Sequence, residues 1–150
     1  MKNYTLIQEK TFLKARKKIR ETKNKIIFYS DDDELNRKIL EKEKINILLI
    51  NQTKRRDRQK QRDSGFNHVL AKIAKKNNIA IGINLDELIN SKQKEKIIAR
   101  IKQNIKLCNK NKLKMQFIGI KTKRNIYDLK SLGLILGMPT YMTKELTNIF

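Results

Sequence analysis

The sequence predicts an α/β fold in which strands and helices alternate and the strands form a parallel sheet. Short apolar runs alternate with longer amphipathic runs along the chain, which is the pattern of repeated βα units. The run at 45–50 is almost continuously apolar, as expected of a strand covered on both faces. About five or six strands are visible, too few for a complete eight-stranded barrel. We therefore expect a shortened or open TIM-barrel-like fold, or a doubly wound sheet.

The first half of the chain shows three strands and two helices. Strands are predicted at 4–7, 25–30 and 45–50, and a helix at 11–23. A second helix follows an acidic run that offers N-terminal caps and favourable negative charge, Asp31, Asp32 and Asp33. Its buried side is predicted to carry Leu35, Ile39 and Leu40.

The second half continues the alternation. A helix at 65–76 has apolar residues at the spacing of one buried face, Phe66, Val69, Leu70, Ile73 and Ala74. Then follow a strand at 79–83, a long helix at 91–111, a strand at 114–120 and a helix at 126–136 that ends at Gly137. The last segment, 140–150, is predicted to form a short strand and a helical turn.

Composition favours a single domain, 1–150, that binds a polyanion. The formal net charge is +21, and such self-repulsion is costly unless an anionic partner is bound. The single cysteine, Cys108, excludes an internal disulfide and falls on a buried helical face. The N-terminus lacks the apolar core of a signal peptide, and no apolar run is long enough to cross a bilayer. We expect a cytoplasmic protein without membrane contact.

Two basic loops follow predicted strands. In parallel α/β folds such loops share one edge of the sheet, where binding sites cluster. The cations of these loops are therefore candidate contacts to RNA phosphates: Lys54, Arg55, Arg56, Arg58, Lys60 and Arg62 in the first, and Lys121, Lys123 and Arg124 in the second. The alternative is a solvated charged surface.

The helix at 65–76 adds further candidates but no active site. His68 and Lys72 are expected to face outward, toward RNA or a partner. Asp63 or Ser64 is expected to cap the helix, and Gly65 to allow a close backbone approach. One histidine cannot complete a multi-histidine metal centre. The sequence thus predicts neither a catalytic residue nor a metal ligand, and Tyr127 is the best candidate for base stacking.

Three segments resemble archaeal ribonuclease P protein component 3, the counterpart of the eukaryotic thirty-kilodalton subunit. The central segment is Arg62-Asp63-Ser64-Gly65-Phe66-Asn67-His68-Val69-Leu70-Ala71-Lys72, with Asn78-Ile79-Ala80-Ile81-Gly82-Ile83-Asn84-Leu85 after it. Phe28-Tyr29-Ser30 before a helix also matches, as does Asp128-Leu129-Lys130-Ser131-Leu132-Gly133. The resemblance covers 25–150, whereas 1–24 is divergent or replaces several βα units of the family.

The resemblance implies a β/α barrel of the polymerase-and-histidinol-phosphatase type and a non-catalytic role. In that endoribonuclease the RNA, with Mg²⁺, removes the 5′ leader of precursor tRNA, and the protein binds no cofactor of its own. The implied partners are the ribonuclease P RNA, precursor tRNA and other protein subunits, especially a small αβ protein. Two alternatives stay open from the residues: a metal-dependent phosphoesterase on the same barrel, and a generic basic RNA- or ribosome-binding protein.

Overall fold

The computed structural model describes residues 3–150, in which five strands and seven helices alternate. The strands are β1 (Tyr4–Gln8), β2 (Lys25–Tyr29), β3 (Ile47–Ile50), β4 (Ala80–Asn84) and β5 (Met115–Ile118). The helices are α1 (Phe12–Glu21), α2 (Asp33–Lys42), α3 (His68–Lys76), α4 (Leu85–Asn90), α5 (Lys94–Lys110), α6 (Ile126–Leu136) and α7 (Thr140–Lys144).

All five strands are parallel, and their order in the sheet is their order in the chain. This singly wound arrangement is that of part of a TIM barrel, so the predicted α/β fold class is confirmed and the doubly wound alternative is wrong. Right-handed crossovers between successive strands place every connecting helix on the same face of such a sheet.

The core is accordingly divided into two layers by the sheet. On the helix-covered face, strand residues such as Phe28, Leu48 and Ile81 pack with the apolar sides of the helices. The other face holds a smaller cluster of strand residues covered by the C-terminal Ile149. The neighbouring side chains leave little room there, because a Cβ at Gly82 would lie 3.1 Å from Ile47 Cγ2 and 3.2 Å from Ile118 Cγ1.

The early helices form as the sequence indicates. The Asp32 carboxylate accepts hydrogen bonds from the backbone N–H groups of Glu34 and Leu35 and so caps α2. Leu35, Ile39 and Leu40 are buried, as predicted. The predicted first strand and first helix correspond to β1 and α1.

Helix α3 begins three residues later than predicted, and its cap is a different residue. Asn67, rather than Asp63 or Ser64, accepts a 2.9 Å hydrogen bond from Leu70 N. The earlier start is prevented by Gly65, whose φ of +72° is not helical. With the shifted start, Val69 is 52% exposed, and its predicted burial is wrong.

Two other boundaries also differ from prediction. A short helix, α4, directly follows β4 and was missed, since Asn84 both ends the strand and caps the helix through Glu87 N. The long helix α5 then starts at Lys94 instead of 91. In the C-terminal segment, α7 forms but the predicted short strand is absent from the described residues.

Within residues 3–150, no helix is both long enough and apolar enough to cross a membrane.

Candidate nucleic-acid interface

The two basic loops lie at the carboxyl edge of the sheet, as predicted. The first basic loop, residues 51–67, connects β3 to α3, and the second basic loop, residues 119–125, connects β5 to α6. Strand β4 lies between β3 and β5. The two loops are therefore two strand positions apart, about 10 Å at the usual strand spacing.

Most of the predicted cations of these loops are exposed: Lys54, Arg56, Arg58, Lys60, Arg62, Lys121, Lys123 and Arg124. Lys54 Nζ lies 3.5 Å from Asp31 Oδ2. Among the residues that the structure describes, the other seven form no ion pair with a carboxylate. Their charge is available to an external anion.

Arg55 is placed differently from the other predicted contacts, because its guanidinium turns inward and is only 10% exposed. Nη1 and Nη2 donate to the two Asp33 carboxylate oxygens at 2.9 and 2.7 Å, and Nε donates to Asn51 O at 2.7 Å. Burial alone would lower the pKa of Arg55, but Asp33 raises it overall. The geometry gives Arg55 a structural position, with its donors occupied within the protein.

Gly65 provides the space for this guanidinium. A Cβ at Gly65 would lie 2.2 Å from Arg55 Nη2, closer than any side chain permits. The close approach expected at Gly65 is therefore present, and the approaching group is Arg55. Asp63 is beside them, with Oδ1 accepting from Gly65 N at 3.3 Å and from Arg55 Nη1 at 3.5 Å.

A second arginine holds the first basic loop and was missed in the sequence. Arg100, on α5, is 2% exposed and donates to Gln52 O, Arg55 O and Asp57 Oδ1, each at 3.0 Å. In the sequence, Arg100 does not stand out from the many exposed lysines of the same amphipathic helix. The one available signal was that position 100 falls on the buried face between Ile97 and Ile101.

The hydrogen bonds at Asp57 stabilise its charged form. Arg100 Nε and the backbone N–H of Asp63 both donate to it, and they lower the pKa of this carboxyl below its ordinary value. Asp57 thus ties together the middle of the loop, its end and helix α5.

The short helix α4 holds both loops through adjacent carboxylates in its first turn. Glu87 accepts from Gln52 N at 2.8 Å and from Thr53 Oγ1 at 2.5 Å in the first basic loop. Asp86 accepts from Ile120 N at 3.0 Å and Thr122 N at 2.7 Å in the second. These two residues had no assigned role in the sequence. Their place after the strand between the two basic loops was the signal.

The surroundings of Asp86 show how firmly the second basic loop is held. Partial burial alone would raise the pKa of Asp86, but backbone N–H groups of Lys121, Thr122 and Ile120 lower it overall. The Asp86 carboxylate thus bonds to backbone N–H groups of the loop, and the side chains of Lys121 and Lys123 are exposed.

The remaining predicted residues lie on α3, within the first basic loop and at the start of α6. His68 and Lys72 are exposed on α3, and Ser64 is buried, with its hydroxyl donating to Phe66 O at 3.2 Å. A groove of about 770 Å³ separates the loop from α3 and α5, and it is lined by Arg58, Lys60, Arg62 and His68 among others. Tyr127 is 75% exposed at the start of α6.

Within residues 3–150, no group of three or more histidine, cysteine, aspartate or glutamate side chains is placed to hold a metal ion.

Comparison with known proteins identifies relatives of one kind. The chain is 27% identical to ribonuclease P protein component 3 of Methanococcus maripaludis strain C7 over 135 residues, 89% of this chain and 55% of the relative. It is 32% identical over 108 residues to the protein of that name from Methanothermobacter thermautotrophicus, 69% of this chain and 40% of the relative. The chain thus spans about half the length of the curated relatives it matches. No family model matches the sequence.

A solved structure shares the fold. A chain of the cryo-EM structure of archaeal ribonuclease P with mature tRNA superposes with a TM-score of 0.75 at 24% identity. The match covers 94% of this chain and 62% of the other.

Proposed function

Because this chain belongs to the family of archaeal ribonuclease P protein component 3, we propose that it is an RNA-binding subunit of ribonuclease P. In this role it supports the catalytic RNA during Mg²⁺-dependent removal of the 5′ leader from precursor tRNA. The Mg²⁺ belongs to the RNA, and the protein supplies charge and position. The further partners are other protein subunits of the complex, including a small αβ protein, and the compartment is the cytoplasm.

One observation carries the proposal. Four acidic side chains of the carboxyl edge, Asp33, Asp57, Asp86 and Glu87, are engaged with the two loops themselves. Apart from Lys54, which lies beside Asp31, the exposed cations of both loops form no ion pair among the described residues. Such a surface suits the phosphates of a folded RNA, which give affinity without base specificity.

The geometry also supports a role in holding RNA in place. Arg100, Glu87 and Asp86 fix the backbone of the loops before any partner binds, so little conformational entropy is lost on association. Phosphate contacts made from such loops can keep an RNA in a defined orientation.

Reconstitution tests the proposal. Archaeal ribonuclease P RNA is assayed for cleavage of precursor tRNA across a Mg²⁺ series, with the small αβ subunit present and with this chain added or omitted. We expect the chain to lower the Mg²⁺ concentration required, and unchanged Mg²⁺ dependence would refute the proposal. An incubation of the protein alone with Mn²⁺ and a phosphoester is included, since phosphate release there would favour the phosphoesterase alternative.

A charge variant tests the surface itself. Four of the five exposed cations of the first basic loop are replaced together in R56A/R58A/K60A/R62A, and Lys54 is kept because it lies beside Asp31. The matched control removes four exposed lysines from helices, K14A/K17A/K38A/K106A, and so lowers the net charge equally. Arg55 is left intact because its loss would disturb the loop.

The readout is the dependence of RNA affinity on salt. Each lost phosphate contact reduces the slope of log K against log salt by about 0.7 to 0.9, so the loop variant should lose about three in total while the control changes little. Equal slopes for the loop variant and the wild type would show that the loop does not contact RNA.

A further inference from the structure

A second cationic surface lies at the opposite edge of the sheet, where the helices return to the amino ends of the strands. The four returning connections are taken with the adjoining residues Lys25 of β2, Lys75 and Lys76 of α3, and Lys110 of α5, which gives the ranges 22–25, 43–46, 75–79 and 110–114. Together they carry eight lysines and no arginine: Lys23, Lys25, Lys44, Lys75, Lys76, Lys110, Lys112 and Lys114. We define these eight as the amino-edge lysines.

Little acidic charge opposes them. The one carboxylate within these four ranges is Glu43, which is 8% exposed and held by Arg16 and Arg20 at 3.3 and 3.4 Å. Exposed Glu21 ends α1 next to the first range. Glu145 reaches the edge from the C-terminal segment, with its carboxylate 3.4 Å from Lys114 Nζ. Six of the lysines are exposed and form no ion pair among the described residues: Lys23, Lys44, Lys75, Lys76, Lys110 and Lys112.

The lysines surround a polar hollow of about 260 Å³. Lys25, Lys75, Lys112 and Lys114 line it together with the polar side chains of Asn46, Asn78, Gln116 and Thr147. Lys75 Nζ donates to the backbone carbonyl of Lys112 at 3.1 Å, which joins the end of α3 to the loop before β5. The hollow thus brings residues from the amino ends of neighbouring strands together around one polar site.

Lysines in the last turn of a helix commonly stabilise the helix dipole, but this does not account for Lys112. It lies beyond the end of α5 in the left-handed conformation, with φ +55°. Leu113 N donates to Cys108 O and Lys112 N to Asn109 O. The end of α6 has the same pair of bonds with Gly137 at the left-handed position. Glycine is the residue that this position favours, so a lysine is held there at a conformational cost.

The chemistry of the edge selects a polyanion over a membrane or an apolar protein partner. Among the described residues, none of the exposed large hydrophobic side chains lies in the four connections. Lysine ammonium groups act as point charges that contact phosphates without the fixed fork of arginine. Asn46, Asn78 and Thr147 add amide and hydroxyl groups that can bond to phosphate or ribose oxygens. The Gln116 amide is bonded within the protein, to Glu145 O and Thr147 N.

We propose that the amino-edge lysines form a second RNA-binding site, so that the chain bridges two segments of RNA on opposite edges of its sheet. This inference rests on the proposed function, because it takes RNA as the ligand. Strands of four or five residues separate the edges by about 13–17 Å, and the surfaces face away from each other. A single backbone segment at the carboxyl edge therefore does not reach the amino edge.

Hydroxyl-radical footprinting on archaeal ribonuclease P RNA tests the bridge. Three quadruple variants are compared with the wild-type chain: K23A/K44A/K76A/K112A at the amino edge, R56A/R58A/K60A/R62A at the carboxyl edge, and K14A/K17A/K38A/K106A as the charge-matched control. All twelve side chains are exposed, and far-ultraviolet circular dichroism with thermal melting establishes that each variant is folded.

We expect the amino-edge and carboxyl-edge variants to lose protections at two separate RNA segments, each with a shallower salt slope, while the control retains both. If the amino-edge variant retains every protection and the wild-type slope, the second site is refuted while the proposed function stands. If the wild type itself neither binds nor protects the RNA, the proposed function fails.

A single substitution gives an independent measurement. Lys112→Gly relieves the left-handed strain while removing one cation, so we expect a higher melting temperature together with a salt slope lower by about one contact, roughly 0.7 to 0.9. A more stable variant with the wild-type slope would contradict the assignment of Lys112 to the site.

Discussion

Substitution of Gly65 by alanine tests whether the first basic loop is built around the Arg55 guanidinium. The added Cβ would lie 2.2 Å from Arg55 Nη2 and 2.3 Å from its Cζ. Arg55 must then leave its position, because the backbone of Gly65 is bonded to Asp63 Oδ1. The substitution thus carries two costs, one in the backbone and one in the displaced arginine.

The two costs can be estimated separately. A non-glycine residue in the left-handed region costs about 1–2 kcal/mol. Moving the guanidinium breaks its bonds to Asp33 and Asn51. Hydrogen bonds to charged groups contribute about 1.5–3 kcal/mol each, but Asp33 is 45% exposed, so water replaces part of the loss. We expect Gly65→Ala to lower the free energy of unfolding by about 3 kcal/mol.

Gly137 provides the matched control. It also has a positive φ, +104°, but a Cβ there would meet nothing within 4 Å. Gly137→Ala therefore carries only the backbone cost, about 1–2 kcal/mol. Urea unfolding of both variants gives the difference, which reports the displacement of Arg55.

A double-mutant cycle isolates the contact. In an Arg55→Met background, Gly65→Ala should cost only its backbone strain, which gives a coupling of about 1–2 kcal/mol between the two positions. Zero coupling, or a loss for Gly65→Ala no larger than for Gly137→Ala, would refute the structural position given to Arg55.

Three further predictions concern the anchors and the core. Arg100→Met leaves the carbonyls of residues 52 and 55 without their donor. It should lower the free energy of unfolding by about 3 kcal/mol and speed amide exchange across the first basic loop. Exchange and stability equal to those of the exposed-site control Arg56→Met would argue against the anchor. The folded-state pKa of Asp86 lies below its ordinary 3.8, so its contribution is present above that pH and is lost as the pH falls through the folded value. Asp86→Asn should therefore flatten the acid limb of a stability–pH curve, and an acid limb identical to that of the wild type would contradict this. Burial raises the pKa of the Cys108 thiol, so the thiol should be alkylated only at the rate at which the protein unfolds. Rapid labelling of the native protein would be inconsistent with a buried thiol.

The periodicity of apolar residues was sufficient to predict most of the fold. The strands and α1, α2 and α6 were located because their apolar residues repeat at the strand or helix period and their ends carry caps such as Asp32 and Gly137. The sheet order followed only from the structure, because short parallel strands with both faces buried look alike in sequence.

The start of α3 was misplaced for a local reason. Ser64, Asp63 and Asn67 all belong to residue types that cap helices, and sequence alone does not rank them. The left-handed Gly65 decides in favour of Asn67 by interrupting the chain between the candidates.

The anchoring of the interface could be predicted least. Its exposed cations were identified from charge alone, and their contact with RNA stays a prediction. Which arginines turn inward depends on partners distant in sequence: Arg55 on Asp33, and Arg100 on carbonyls more than 40 residues away. Arg55 and Arg56 cannot be told apart by residue type, whereas in the structure the Arg55 side chain is 10% exposed and Arg56 is exposed to solvent.

The adjacent carboxylates of Asp86 and Glu87 make the first turn of α4 the element that sets the distance between the two basic loops. Each loop is tied by its backbone to the same helix, so the spacing between the two loop backbones is set by α4 and the sheet. For the proposed RNA contact, this fixed gap measures the spacing between backbone segments. Under the proposed function, the surface would favour RNA whose backbone segments have this spacing, which is selection by shape without contact to a base edge.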